Sequence, residues 1–140
     1  MVDKELVKEK LDAIDYYYRQ FEELLRPGIT EIKKDFRTYY AIERLFILIV
    51  DEILDINLHF IKTLNFKTPD DLQSTFLILA ENEVLPENFS KKIAPAVGLR
   101  NKLVHRYEKI DKELFLKTSK REKEDFKEYI KYILKYSEKI

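Results

Sequence analysis

His105 is one of only two histidines in this 140-residue chain. An unperturbed imidazole titrates near pH ~6.5, which makes it the side chain best suited to move protons near neutrality. Its surroundings are basic. Between positions 91 and 109, Lys91, Lys92, Arg100, Lys102, Arg106 and Lys109 face a single acid, Glu108. The whole chain balances 26 basic against 26 acidic residues, so no net field draws it to polyanions, and this stretch is a local anion site. A charge run alone is adequately explained as the solvated face of an amphipathic helix. The embedded histidine adds proton transfer on an anionic substrate.

Spacing limits what these residues can do on one helix. At ~100° per residue, Arg100 and Tyr107 share a face, as do Asn101 and His105, whereas Arg100 and His105 point roughly 140° apart. Their convergence requires a bend in the helix or a second copy of the chain across a two-fold axis.

The elements that must position this segment read as helices. Val7, Leu11, Ile14, Tyr18, Phe21 and Leu25 step by fours and threes, one apolar stripe that Pro27-Gly28 ends. A second helix is expected from about Thr30 or Asp35 to Asn65. It is apolar on nearly all sides between Leu45 and Ile61, and hence central or also buried against another chain. Thr68-Pro69-Asp70-Asp71 has the capping Thr, first-position Pro and acids of a third helix start, running to about Asn82. Pro86 opens a fourth, over Glu87–Tyr107, with a kink at Pro95. A short piece at Asp111–Leu116 follows. A capping box at Ser119 and Glu122 then opens a last helix with stripe Phe126, Ile130, Ile133, Ser137 and Ile140. The expected fold is all-α: one domain over residues 1–140, an up-and-down bundle of four to five helices.

Composition narrows the function classes. The absence of cysteine excludes disulfides, thiolate metal sites and a Cys nucleophile, and two histidines are too few for a His-built zinc site, so neither metal nor other cofactor is expected. The longest apolar run, Leu45 to Val50, is far short of the roughly 20 residues of a membrane span. The charged N-terminus has no secretion signal, which points to the cytoplasm.

The segment Arg100-Asn101-Lys102-Leu103-Val104-His105-Arg106-Tyr107 resembles the R-x4-H-x-Y signature of the HepT-like toxins in the HEPN superfamily of helical ribonucleases. YYAIERLFILIVDEILDINLHFI and LPENFSKKIAPAVGLRN are similar to that family's long second helix and its approach to the motif. The resemblance covers most of the chain. It implies a HEPN-like bundle and a homodimer that cuts RNA without metal, with both motif copies at one cleft. It also implies a partner, a minimal nucleotidyltransferase (MNT) antitoxin that adenylylates the motif tyrosine, here Tyr107. The substrate would be tRNA or mRNA.

Residue chemistry agrees with that implication. In metal-free RNA cleavage a ribose 2′-hydroxyl attacks the neighbouring phosphate, which calls for a proton acceptor and a cation for the phosphorane charge. His105 and Arg100 fit those roles as the catalytic pair. Asn101 is expected to support the site, and Lys102 and Arg106 to neutralise flanking phosphates. The main rival is a non-catalytic helical module that binds a nucleotidyltransferase through the same patch. A nucleotide-binding regulatory domain ranks last, because no Gly-rich phosphate loop is present.

Three other features have plainer accounts beside sharper ones. His59 and Asp55, one turn apart, suggest a hydrogen bond along the second helix rather than a part in the cleft. Glu43-Arg44 reads as a surface pair or as an orienting contact to the motif. Tyr16-Tyr17-Tyr18 and Tyr39-Tyr40 read as core or interface before base-stacking platforms.

Overall fold

A computed structural model describes residues 1–105 and 109–140. Arg106, Tyr107 and Glu108 lie outside the described residues. Eight helical segments, and no strand, occur among the residues described.

Helix α1, Lys4–Leu24, starts where the Asp3 carboxylate accepts the Leu6 amide at 3.0 Å. Its expected stripe is its buried face, continuing into Leu25. After Pro27-Gly28 a short α2, Ile29–Lys34, runs to Asp35. The Asp35 carboxylate takes the Arg37 and Thr38 amides and the Thr38 hydroxyl. It therefore ends α2 and caps α3, Phe36–Thr63, so both expected starts are used, one for each helix.

The stretch of α3 that is apolar on nearly all sides, Leu45 to Ile61, has the consequence its sequence suggests. This helix is central, packing against α1, α2, α4 (Thr75–Glu81) and α6 (Pro95–His105). The last helix, α8 (Glu124–Lys139), reaches it through Tyr129. The buried Tyr129 hydroxyl donates to Asn57 Oδ1 at 2.6 Å and lies 3.2 Å from the Ile53 carbonyl. The Asn57 amide in turn donates to Thr75 Oγ1 at 3.0 Å, and Thr75 donates to the Leu72 carbonyl at 2.7 Å. This relay fixes α8, α3 and α4 in one register with its polar atoms satisfied.

The number of segments exceeds the four to five helices expected, and each extra boundary has a local cause. Thr68-Pro69 does not open a helix. Asp71 and Ser74 instead bind each other's backbone and side chains, a turn that competes with helix formation and delays α4 to Thr75. The expected single helix from Glu87 is divided at Ala94 into α5, Glu87–Ile93, and α6, because Pro95 has no amide to continue the ladder. No capping box forms at Ser119 and Glu122. Ser119 is buried within α7, Lys112–Glu122, which Asp111 caps by accepting the Leu114 amide. Of the last stripe, Phe126 and Ile133 are buried and Ile140 is exposed. Tyr129 takes the central place.

Among the described residues no helix is long and apolar enough to cross a membrane.

Candidate active site

Val97 and Leu103 are the buried anchors of α6, and they seat it along α3. That contact turns Arg100 toward the middle of α3. Its Nε donates to Asp51 Oδ1 at 2.8 Å and its Nη1 to Asn101 Oδ1 at 3.0 Å. The Arg100 side chain is 21% exposed and that of Asp51 40%. The guanidinium is thus held from one side, with its remaining N–H groups able to meet an anion, since a planar fork can bind a carboxylate and a phosphate at once.

His105 is the last residue of α6 and is exposed, as is Lys102. Asn101 is half-buried. The expected bend does not separate Arg100 from His105. The break falls at Ala94, ahead of both, and Pro95–His105 is one uninterrupted helix. Within one chain the two side chains therefore leave the axis in directions roughly 140° apart. Arg106 and Tyr107, expected as a phosphate contact and a modification site, lie outside the described residues. Among the described residues no group of three or more His, Cys, Asp or Glu is arranged to hold a metal ion.

Asp51 is the residue that reading the sequence missed. It was legible only as an acid after the apolar run Leu45–Val50, with nothing in the sequence to name its partner. That partner lies 49 positions away.

The remaining candidates divide. Glu43 is 2% exposed, which removes the surface-pair account. His59 accepts the Asp3 amide at 3.0 Å on Nε2, while Asp55 pairs with Lys10 at 2.9 Å, so the expected His59–Asp55 hydrogen bond is not made and His59 serves the α1–α3 junction. Tyr18 and Tyr39 are buried in the core, whereas Tyr16 and Tyr40 are 64% and 45% exposed.

The family model described as "Ribonuclease HepT-like" matches residues 14–133, a span that contains α3, the Asp51–Arg100 pair and the whole R-x4-H-x-Y segment. The chain belongs to this family. Among HepT-like relatives, the tRNA nuclease HepT of Aphanizomenon flos-aquae is 28% identical over 110 residues, covering 79% of this chain and 75% of the relative. The mRNA nuclease HepT of Shewanella oneidensis is 22% identical over 129 residues, covering 92% and 96%. The fold is similar to that of the tri-AMPylated Shewanella oneidensis HEPN toxin solved in complex with an MNT antitoxin. There the TM-score is 0.84 at 22% identity, over 95% of this chain and 98% of that one. The bundle is HEPN-like.

Proposed function

We propose that this HepT-like chain is a metal-independent endoribonuclease toxin of a toxin–antitoxin pair. It acts in the cytoplasm as a homodimer whose cleft is lined by the R-x4-H-x-Y segments of two copies. The observation that carries the reading is the clamp on Arg100: a guanidinium fixed by Asp51 and Asn101, on the helix that ends in the exposed His105. A preorganised cation beside a proton-transfer group is what phosphodiester cleavage by a ribose hydroxyl needs. The unbroken helix between the two residues supports the two-copy cleft, because a two-fold axis supplies the convergence that one chain lacks.

The steps balance as follows. An imidazole takes the proton of the 2′-hydroxyl, and the 2′-oxygen bonds to phosphorus while Arg100 meets the charge on the phosphorane. The bond to the 5′-oxygen then breaks, and that oxygen takes a proton from the His105 imidazolium of the second copy. The products are a 2′,3′-cyclic phosphate and a 5′-hydroxyl. Lys102 and Arg106 neutralise flanking phosphates. The names of the relatives, a tRNA nuclease and an mRNA nuclease, support RNA as the substrate class.

Neutralisation by an MNT nucleotidyltransferase that adenylylates Tyr107 is the matching regulatory reading, supported by the AMPylated, antitoxin-bound state of the structural relative. Added phosphates two residues from His105 would compete with RNA for Arg100 and fill the cleft.

The test is cleavage of total cellular RNA in chelator by unmodified protein, its Tyr107 checked by intact mass, beside Arg100→Ala and His105→Ala. Each substitution should lower cleavage by at least about 10²-fold, with cyclic phosphate ends from wild type. A His105→Ala variant as active as wild type, or wild type that cuts nothing, would replace the nuclease by a protein-binding module.

A further inference from the structure

Glu43 and Arg44 are neighbours in sequence with opposite fates. Glu43 is turned into the protein, 2% exposed, while Arg44 stands in solvent on the outer face of α3. No carboxylate among the described residues pairs with Arg44. The sequence offers none nearby, because the positions three and four away on the helix are Tyr40, Ala41, Ile47 and Leu48. Other exposed cations take an acid one turn away, as in Lys8–Asp12, Arg19–Asp15, Lys91–Glu87 and Lys117–Glu113. A solvated helix face balances its charges in that way, and the surroundings of Arg44 do not.

Its place on α3 ties Arg44 to the candidate site. Asp51, which holds Arg100, is seven residues on, about 10 Å along the axis and within about 20° around it, so the two share a face. One turn in the other direction is Tyr40, and Lys112 Nζ lies 5.2 Å from its ring centre. Arg100 and Lys112 flank His105 in sequence, and they meet α3 on either side of Arg44. The acids around this face have partners of their own. Asp51 takes Arg100, and Glu52 and Asp55 take Lys10 at 3.3 and 2.9 Å. Asp111 caps α7, and Glu113 faces Lys117. On α1, which packs along α3, the positions that follow Lys10 at helical spacing are Ala13, Tyr17 and Gln20, all uncharged.

From this we infer that Arg44 is a phosphate anchor of the cleft, holding the RNA backbone beside the phosphate that Arg100 meets. An arginine fork binds phosphate through parallel N–H···O bonds, and a cation that no protein acid neutralises gives up no ion pair in doing so. The inference rests on the ribonuclease reading for the identity of the strand, and it adds to that site a contact from α3, outside the R-x4-H-x-Y segment.

The experiment uses the full chain carrying His105→Ala, so that RNA is bound without being cut. Affinity for a short fluorescein-labelled single-stranded RNA is read by anisotropy from about 0.1 M to about 1 M salt, with the mass in solution recorded for each variant. One phosphate contact on a single strand contributes about 0.7 to the slope of log affinity against log salt, or about fivefold over that range. Arg44→Gln should therefore weaken binding about fivefold at the low-salt end, flatten the slope by about 0.7, and match its parent at the high-salt end. Arg44→Lys, which keeps the charge, should keep most of the slope. Lys62→Gln removes an exposed cation from the far end of the same face and should change nothing. With His105 intact, Arg44→Gln should raise KM by a similar factor and leave kcat within about twofold.

An unchanged slope in Arg44→Gln overturns the anchor, as does an equal loss in Lys62→Gln, which would make the effect one of net charge. A loss that accompanies a fall in mass also overturns it and makes Arg44 part of an interface between protein chains. Cleavage by the chain with an intact His105, scored separately, decides the ribonuclease reading. A nuclease indifferent to Arg44 sinks the anchor alone, whereas Arg44-dependent binding by a chain that cuts nothing sinks the nuclease and keeps the contact.

Discussion

Replacing Asp51 by Ala releases the Nε–H of Arg100 and leaves Asn101 as its one described side-chain partner. Two costs follow, and their sizes differ. The pair is half in solvent, with side chains 21% and 40% exposed, so its loss should lower folding stability by only about 0.5–1 kcal/mol. The cost to catalysis is larger, because Arg100 without its clamp can swing on a long side chain. Misplacing a reacting group by about 1 Å costs on the order of 10²-fold, whereas deleting the charge outright costs about 10²–10³-fold.

Asp51→Ala should therefore lose about 10- to 100-fold in kcat, or roughly 1.4–2.7 kcal/mol of barrier, with KM within a few-fold of wild type. Asp51→Asn, which keeps an acceptor for Nε–H but not the charge, should fall between. Arg100→Lys should rank near Arg100→Ala, since an ammonium cannot serve Asp51 and a phosphate from one planar fork. The assay is single-turnover cleavage of an RNA oligonucleotide in chelator at several pH values, with thermal melting run in parallel. An Asp51→Ala variant that cleaves at the wild-type rate while Arg100→Ala is inactive would refute the claim that Asp51 aims the guanidinium.

Two predictions concern the scaffold. Tyr129→Phe strands the Asn57 oxygen in the core and should lower unfolding free energy by about 1–3 kcal/mol in urea titrations; a variant as stable as wild type would mean the relay does not hold α8 to α3. Glu22 and Glu124 are both held below the usual carboxylate range by the Lys123 ammonium. A depressed folded-state pKa adds stability that is present above the unfolded value near pH 4.5 and is lost as pH falls through the folded values. Stability should thus decline on acidification below about pH 4.5, and Lys123→Met should flatten that decline; parallel pH curves for the two proteins would count against the cluster.

Much of the framework was readable from the order of residues because it rests on local rules. The α1 stripe, the cap at Asp35 and the nearly all-round apolarity that makes α3 central depend on neighbours within a few turns. The segment from Arg100 to Tyr107 is likewise contiguous in sequence, so its residue types and its family resemblance were readable without a fold. Local rules also misplaced two helix starts. Thr68-Pro69 and Ser119-Glu122 have the right residue types, but an Asp71–Ser74 turn holds the first and core packing of Ser119 claims the second.

What only the tertiary structure decided are the relations between distant positions. Asp51 becomes part of the Arg100 site because the anchors Val97 and Leu103 lay α6 along α3. Tyr39 and Tyr40 are adjacent in sequence and Lys112 reaches over both rings, yet one is core and the other half-exposed, since a helix turns successive residues about 100° apart. Sequence determined which side chains could do the chemistry. Helix packing decided which of them meet, because a contact across 49 positions depends on burial geometry that no local pattern encodes.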